Sequence, residues 1–563
     1  MINKTNNKNN KLNFDYYYIY NLIKKIFNFD ENQYSLYIKD VIQILFESEK
    51  KGNTFVDINN KITDFELFQK GWPDLHLKAL RETGLIESIN SPIIFKNSKL
   101  SWIKWNNKFE EIEQKLSKRI KNNFNKSKFK NENDLNKILG LLEYSDLILI
   151  EGGPGTGKTT LVIESISNLI KNNKFMNIGI AAPTGKATGR MKEAIDKQLS
   201  KINENFFIDC QTLHSWIDNS RFNLKKLKFQ LSEIDILVID EMSMVGFDIF
   251  ESTINNISSD CKIILIGDSN QLPPINSHSI WNYIFEISTN NIFEKITIKL
   301  NKIYRNSGDI INLSKSVITK SKTAFKEQIK LINANKDSNV KIFHQPKYII
   351  PSRLVNDINI HLDDLKNSVQ KLSSKKYIFE KDINNLLDFE KELANEILNK
   401  LNSQIILCQR NKGLWSVQNI HEIILYQNKQ IKFQDLEEGI PIMCTKNNSD
   451  LGLSNGDLGV LIGKSETRRF LFKIFDNHNE QVIRLINPST IENIVPAIAI
   501  TIHKSQGSEA GKVCLLWDKS KNTIKKSSVK TTDQNLFFNN NFDRRLFYTA
   551  ITRAKNNLDL YYS

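Results

Sequence analysis

Cysteine is scarce in this chain of 563 residues, and none of the five (Cys210, Cys261, Cys408, Cys444, Cys514) stands in a CxxC pair. That spacing offers neither a disulfide framework nor a zinc finger, and it suits a reducing compartment. Long apolar runs are missing too: no stretch of 18 occurs, and the apolar segment after the Asn/Lys-rich start is broken by Asp15, Asn21, Lys24 and Lys25. Neither a membrane span nor a signal peptide is expected, and the location expected is cytoplasmic. Arginine is rare, 13 against 65 Lys, so the net charge of +15 is carried by lysine. Lys, Asn and Ile enrichment together reads as a bias of the whole coding sequence. A solvated lysine surface explains most of that charge, which permits a polyanionic partner without establishing one.

What is present is enough for several cores. Hydrophobic residues make up 40% of the chain and aromatics 10%, too much for a mainly disordered protein, and the length suits about three to five domains. Residues 1–13 are polar and expected to fray. From Tyr16 to about Lys121 the apolar spacing is helical, and Lys118 to Asn133 reads as a linker. LILIEGGPGTGKTTLVIESISNLI then reads as buried strand, glycine loop and helix. IGIAAPT, DILVIDE and KIILIGD are further short apolar runs that end in polar residues. Such runs between helical segments predict an α/β fold, a parallel sheet covered on both faces. Residues 320–400 are Lys/Asn-rich and mostly helical in period. After about Gln430, GIPIMCT, GDLGVLIG, RRFLFKIF and QVIRLI predict a small β-barrel, at about 432–495, inserted in a second α/β domain. Asp518 to Asn541 is most simply a loop. The expected division is 1–120, 121–298 and 299–563.

Gly152-Gly153-Pro154-Gly155-Thr156-Gly157-Lys158-Thr159-Thr160 fits GxxxxGK[ST] between a strand and a helix. Glycines let successive N–H groups turn inward on a β-phosphate, and the helix N-terminus adds its dipole. Lys158 then suits the β/γ-phosphates and Thr159 suits Mg²⁺. In ILVIDEMSM four apolar residues deliver Asp240 and Glu241 to a strand end, where adjacent carboxylates are costly unless cations neutralise them. Asp240 suits the metal, and Glu241 suits a general base or the positioning of attacking water. Together the two motifs make the chain an Mg²⁺-dependent NTPase.

Further strings narrow the class: AAPTGKA (Ala181 to Ala187), LIGDSNQLPPI (Leu265 to Ile275), Tyr304-Arg305, MCTKNNSDLGLSNGDLGV, AIAITIHKSQGSE (Ala497 to Glu509) and LFYTAITRAK (Leu546 to Lys555). In these the chain resembles superfamily 1 DNA helicases of the five-prime-to-three-prime branch. Within them it resembles the alpha-subunit family of bacterial exodeoxyribonuclease V, the RecD helicases. The resemblance is ordered from about residue 134 to 563; residues 1–120 match in length alone. It implies two RecA-like domains behind a helical N-terminal domain, and ATP-driven unwinding in double-strand-break repair and DNA end degradation. It also implies that Gln271 senses the γ-phosphate and water, while Arg305 and Arg553 reach the γ-phosphate across the cleft. DNA-backbone contacts are implied at Thr184, Gly185, Lys186, Thr212 and His214, and at Thr501, His503, Lys504, Ser505 and Gln506. The implied partners are single-stranded DNA, duplex ends, and the beta and gamma subunits in a heterotrimer, with nuclease supplied by the beta subunit and residues 14–120 docking the gamma subunit.

The chain departs from the family where a Gln ahead of the phosphate loop usually reads adenine, since Asn136 stands roughly there. It departs again after HKSQGSE, where Ala510 replaces a frequent Phe. Trp216 and Trp415 are as readily core as base-stacking residues. A stand-alone helicase of the same family and a structural subunit with a dead NTPase remain open alternatives. A phosphate-loop kinase would not need the later strings.

Overall fold

A computed structural model describes residues 17–27, 34–50, 54–59, 70–120, 132–172, 176–199, 206–222, 229–274, 277–286, 292–304, 308–319, 321–346, 349–374, 388–426, 436–448, 450–464, 467–475, 481–518, 538 and 541–563. Arg305, the polar start at 1–13, most of the expected linker and most of the 518–541 segment lie outside the described residues.

The N-terminal region is not purely helical. Helices at 17–27, Ser35–Lys50, Asp74–Glu82 and Ile103–Ser117 enclose a small antiparallel sheet of β1 (Phe55–Asp57), β2 (Ile93–Lys96) and β3 (Lys99–Trp102), in the order β1-β3-β2. β2 and β3 form a two-residue hairpin whose turn residues, Asn97 and Ser98, both take positive φ, 52° and 60°. That is the turn geometry that matches strand twist. The region is fastened to the neighbouring α/β unit. Phe109, Ile112 and Leu116 join the core of that unit, and Arg119 donates to the carbonyls of Ser258, Ser259 and Cys261.

The first large sheet is parallel, in the order β6-β5-β7-β8-β4-β9, from β4 (Leu147–Gly152), β5 (Met176–Ala182), β6 (Phe206–Thr212), β7 (Ile236–Ile239), β8 (Lys262–Gly267) and β9 (Thr297–Leu300). Its strands are apolar on both faces because helices cover both. Leu147, Leu149, Leu237, Ile239, Ile263 and Leu265 face one core, and Ile148, Ile150, Ile236, Val238, Ile264 and Ile266 face the other. Along the helix Lys158–Asn172, Val162, Ile163, Ile166 and Ile170 recur at three- and four-residue spacings, which lays one stripe on the sheet. β9 carries the sheet to Leu300, just past the expected boundary at 298.

The second parallel sheet has the order β10-β19-β18-β11-β17, from β10 (Val340–His344), β11 (Gln404–Cys408), β17 (Ala499–Thr501), β18 (Ala510–Trp517) and β19 (Ala554–Tyr562). Residues 320–400 supply β10 and the helices Lys322–Ala334, Ser352–Ser373 and Asp388–Leu401. Between β11 and β17 lies an antiparallel sheet of order β15-β14-β13-β12-β16, from β12 (Pro441–Cys444), β13 (Leu458–Ile462), β14 (Arg469–Phe475), β15 (Gln481–Ile486) and β16 (Ile494–Pro496). Its edge strands β15 and β16 do not pair with each other among the described residues. It is a five-stranded sheet without the ladder that would close a barrel. β16 is three residues long and ends in Pro496, which has no N–H to donate. Among the described residues, no helix is long and apolar enough to cross a membrane.

Candidate active site and nucleic-acid contacts

The carboxyl ends of β4, β7 and β8 open on one cleft between the two parallel sheets, where doubly wound sheets place their ligands. The loop after β4 turns because Gly155 and Gly157 take φ of 75° and 77°, the left-handed region that favours glycine. Lys158 begins the following helix and folds back, its Nζ donating to the Gly152 carbonyl at 2.6 Å and the Gly153 carbonyl at 2.9 Å. Tyr304 covers the loop from the other side. Its N–H donates to the Gly155 carbonyl at 2.8 Å, and its ring lies over Gly157.

Thr159 Oγ1 donates to Asp240 Oδ2 at 3.0 Å, joining the phosphate-loop helix to the end of β7. Asp240 is buried, and its Oδ1 accepts from the Glu241 N–H at 2.7 Å. Glu241 sits at φ 54°, ψ 42°, a left-handed conformation that costs a residue other than glycine about 1–3 kcal/mol. Burial pushes both carboxyls above their ordinary range. For Glu241 the charge of Asp240 adds to burial, while Lys158, Arg553 and Arg190 pull the other way. A hydroxyl and a carboxylate 3.0 Å apart, beside the half-buried carboxyl of Glu241, form an oxygen donor set of the kind Mg²⁺ takes.

Gln271, after β8, is buried; its Nε2 faces Asp268 Oδ2 at 3.4 Å, and its Oε1 has no hydrogen-bond partner. Arg553 comes from the second sheet's side. It is buried too, with Nε donating to the Thr549 carbonyl at 3.0 Å and Nη1 to the Ser508 carbonyl at 3.3 Å. Lys158, Thr159, Asp240, Glu241, Gln271 and Arg553 therefore converge.

The residues expected to touch DNA divide into two groups. Thr184, Gly185 and Lys186 meet the second half of the chain. Lys186 Nζ donates to Ser508 Oγ at 2.8 Å, a Cβ on Gly185 would collide with Ser454, and Gly507 lies against Thr184. Burial and Arg190 bring the Lys186 pKa down to about 8, against Asp457 and Glu509. Ser505 and Gln506 turn inward, Gln506 Nε2 donating to the Leu272 carbonyl at 3.2 Å, while Lys504 stays exposed and His503 stacks on Phe542. Thr501, half-buried, ends β17. Thr212 is the other case. Its hydroxyl accepts from the Ser215 N–H, capping the helix Leu213–Phe222, and His214 beside it is exposed.

Trp216 and Trp415 are core residues, their indoles donating to the carbonyls of Ile180 and Ile349. Asn136 lies exposed in the first turn of the helix Asp134–Tyr144 and bonds Glu132. Ala510 is buried, its N–H on the Arg553 carbonyl.

Several residues of the site escape motif reading. Arg190, on the helix Gly185–Leu199, acts on Asp240, Glu241 and Lys186 together. It lies beyond the motif, and a lone Arg on a helix carries no signal. Asp457 and Ser454 come from the inserted sheet's NGD turn, which marks a turn but not what it faces. Outside the cleft, Asp357, Cys514 and Asp559 place their ligand atoms within 4.8 Å of one another. Lys512 Nζ already lies 2.8 Å from Asp357 and 3.1 Å from Asp559, so those carboxylates are answered by an ammonium.

A family model described as an AAA domain matches residues 138–277. The chain is 30% identical over 525 residues to the RecBCD enzyme subunit RecD of Buchnera aphidicola subsp. Schizaphis graminum, covering 84% of this chain and 82% of that one. It is 26% identical over 500 residues to the RecBCD enzyme subunit RecD of Haemophilus influenzae, covering 80% and 71%. Among solved structures, a Bacteroides Pif1 bound to single-stranded DNA aligns with 76% of this chain and 91% of its own at 17% identity and a TM-score of 0.40.

Proposed function

This chain belongs to the RecD family of RecBCD enzyme subunits, superfamily 1 five-prime-to-three-prime DNA helicases of recombinational repair, and we propose from that premise how its residues work. It is an ATP-dependent DNA helicase that binds ATP at the phosphate loop. Lys158 leaves the carbonyls of Gly152 and Gly153 for the β- and γ-phosphates, and Thr159 with Asp240 would hold Mg²⁺. The ion, when bound, offsets charge on the phosphates and on the acid pair. Glu241 orients and deprotonates the attacking water, and Gln271 Oε1 accepts from the same water while its amide donates to phosphate. Arg553 delivers positive charge from the opposite side as the γ-phosphoryl leaves, and the resemblance implies the same role for Arg305. Guanidinium groups in that position are worth about 10³–10⁵ in rate in related NTPases.

One observation carries this reading: residues far apart in sequence and on opposite sides of the cleft converge on one loop. Because Arg553 and Lys158 come from different sheets, closure around ATP and reopening after hydrolysis become relative motion of the two sheets. Thr184, Gly185 and Lys186, and Thr501, His503, Lys504, Ser505 and Gln506, with Thr212 and His214, line the DNA-backbone path without reading bases; exposed Lys504 and His214 meet phosphates, while Ser505 and Gln506 act from behind by holding the loop in place. We read residues 1–120, 121–298 and 299–563 as the units of the machine, working in a cytoplasmic heterotrimer on single strands and duplex ends. The exposed Tyr17, Tyr18, Leu22 and Ile26 suit docking of the gamma subunit, and the beta subunit supplies the nuclease.

The test is ATP hydrolysis by the purified chain with and without single-stranded DNA, repeated with the beta and gamma subunits. Strong stimulation by DNA, lost in Lys158→Ala while the fold survives, is expected. Equal turnover in wild type and Lys158→Ala would overturn the site.

A further inference from the structure

Tyr548 lies on the helix Asn541–Ile551 of the second half, yet its hydroxyl sits in the first half's nucleotide cleft. It donates to Asp268 Oδ2 at 3.0 Å, and a Cβ placed on Gly153 would fall 2.9 Å from it. One buried oxygen thus touches both the phosphate loop and the loop that carries Gln271. The same carboxylate oxygen of Asp268 faces Gln271 Nε2. Two further cross-cleft bonds hold that loop: the Leu272 N–H donates to Thr549 Oγ1 at 3.1 Å, and Gln506 donates to the Leu272 carbonyl. Gln271 is therefore flanked by Asp268 and Leu272, each bonded to residues of the second half, and its Oε1 has no hydrogen-bond partner.

Resting on the assignment of Gln271 above, we propose that Tyr548 is a positioning residue that sets the Gln271 carboxamide through Asp268, coupling cleft closure to hydrolysis. The chemistry suits a fixed donor. Burial and the charge of Asp268 hold the phenol well above its ordinary pKa, so the proton stays on Tyr548. Asp268 has to accept from both sides, which fixes Gln271 with its amide on Asp268 and its carbonyl oxygen toward the reacting water. When the sheets separate, Tyr548 leaves with its own, and Asp268 is free to draw Gln271 aside. Hydrolysis then waits for closure.

Tyr548→Phe keeps the ring and its packing and removes one oxygen. In the full chain assembled with its RecBCD partners, kcat for DNA-stimulated ATP hydrolysis should fall about ten-fold, the scale of one hydrogen bond to a charged group. KM for ATP should change less than about two-fold. Asp268→Ala should reproduce the loss. Since Tyr548 acts through Gln271, the double variant Tyr548→Phe/Gln271→Ala should be no slower than Gln271→Ala alone. Additive losses, or a wild-type kcat in Tyr548→Phe beside a slow Gln271→Ala, would overturn the coupling and leave the site reading intact. A wild-type kcat in Gln271→Ala would remove the assignment of Gln271 itself.

Discussion

At the scale of single residues, the costly groups are those nearest the chemistry. Glu241 holds a left-handed backbone, is pressed against a second carboxyl, and has its charge disfavoured by burial. Such strain persists only where surrounding structure imposes it. Glu241→Gln should retain ATP binding, because Thr159 and Asp240 keep their oxygens, and should lower turnover at least about a hundred-fold. Retention of labelled ATP on a filter, beside single-turnover hydrolysis, reads both; wild-type turnover would remove Glu241 from the mechanism. Lys158, Thr159, Asp240 and Glu241 were legible because a glycine loop and a strand-ending acid pair have steric and electrostatic reasons to be where they are. Gln271 and Arg553 came from resemblance to a family. Tyr548 was illegible at this scale: a tyrosine in a helix becomes a cleft residue only once two sheets face each other.

Elements were legible in proportion to their length. The strands LILIEG, IGIAA and KIILIG and the helix after the phosphate loop carry enough periodic apolar residues to declare themselves, and they are present. The three N-terminal strands are three or four residues long, too short for a period of two to stand out from the surrounding helical spacing. Their one local signal was the Asn97-Ser98 pair, weaker than an Asn-Gly turn. The inserted strands were legible one by one, but barrel closure depends on which edges meet, and no strand encodes that by itself. Between elements, Lys512 on β18 fastens the helix Ser352–Ser373 to the sheet, bridging Asp357 and Asp559. Lys512→Met keeps the stem and strands two neighbouring carboxylates. Stability should fall by about 2–3 kcal/mol, near the lower end for a broken buried pair because Asp357 is partly exposed. Denaturant unfolding tests this; a change within about 0.5 kcal/mol would make the triad a surface feature.

For the whole molecule, acid should loosen the junction between the second parallel sheet and the segment before its insertion. His421 is buried there and held neutral, its pKa pushed down to about 4, while its Nε2 accepts from the Ala499 N–H at 3.3 Å. The unfolded chain takes up that proton near pH 6.5. Between pH 6.5 and about 4 it binds more protons than the folded chain, so stability drops as pH falls through that window. The shift is worth about 3 kcal/mol once complete. His421→Gln should flatten the difference between unfolding at about pH 7 and about pH 4.5; an unchanged slope would show that other groups govern it. Asp457, raised to about 6 by burial, works in the opposite sense in both proteins and cancels in the comparison. Turnover of the machine also requires letting go of product. The Lys158 ammonium bonds two carbonyls of its own loop, so the cradle contains a competitor for the phosphates tethered at high effective concentration. In the role proposed for Lys158, an arriving nucleotide would displace those carbonyls and a departing one would hand the ammonium back to them, so the charge would stay partly paired throughout the exchange.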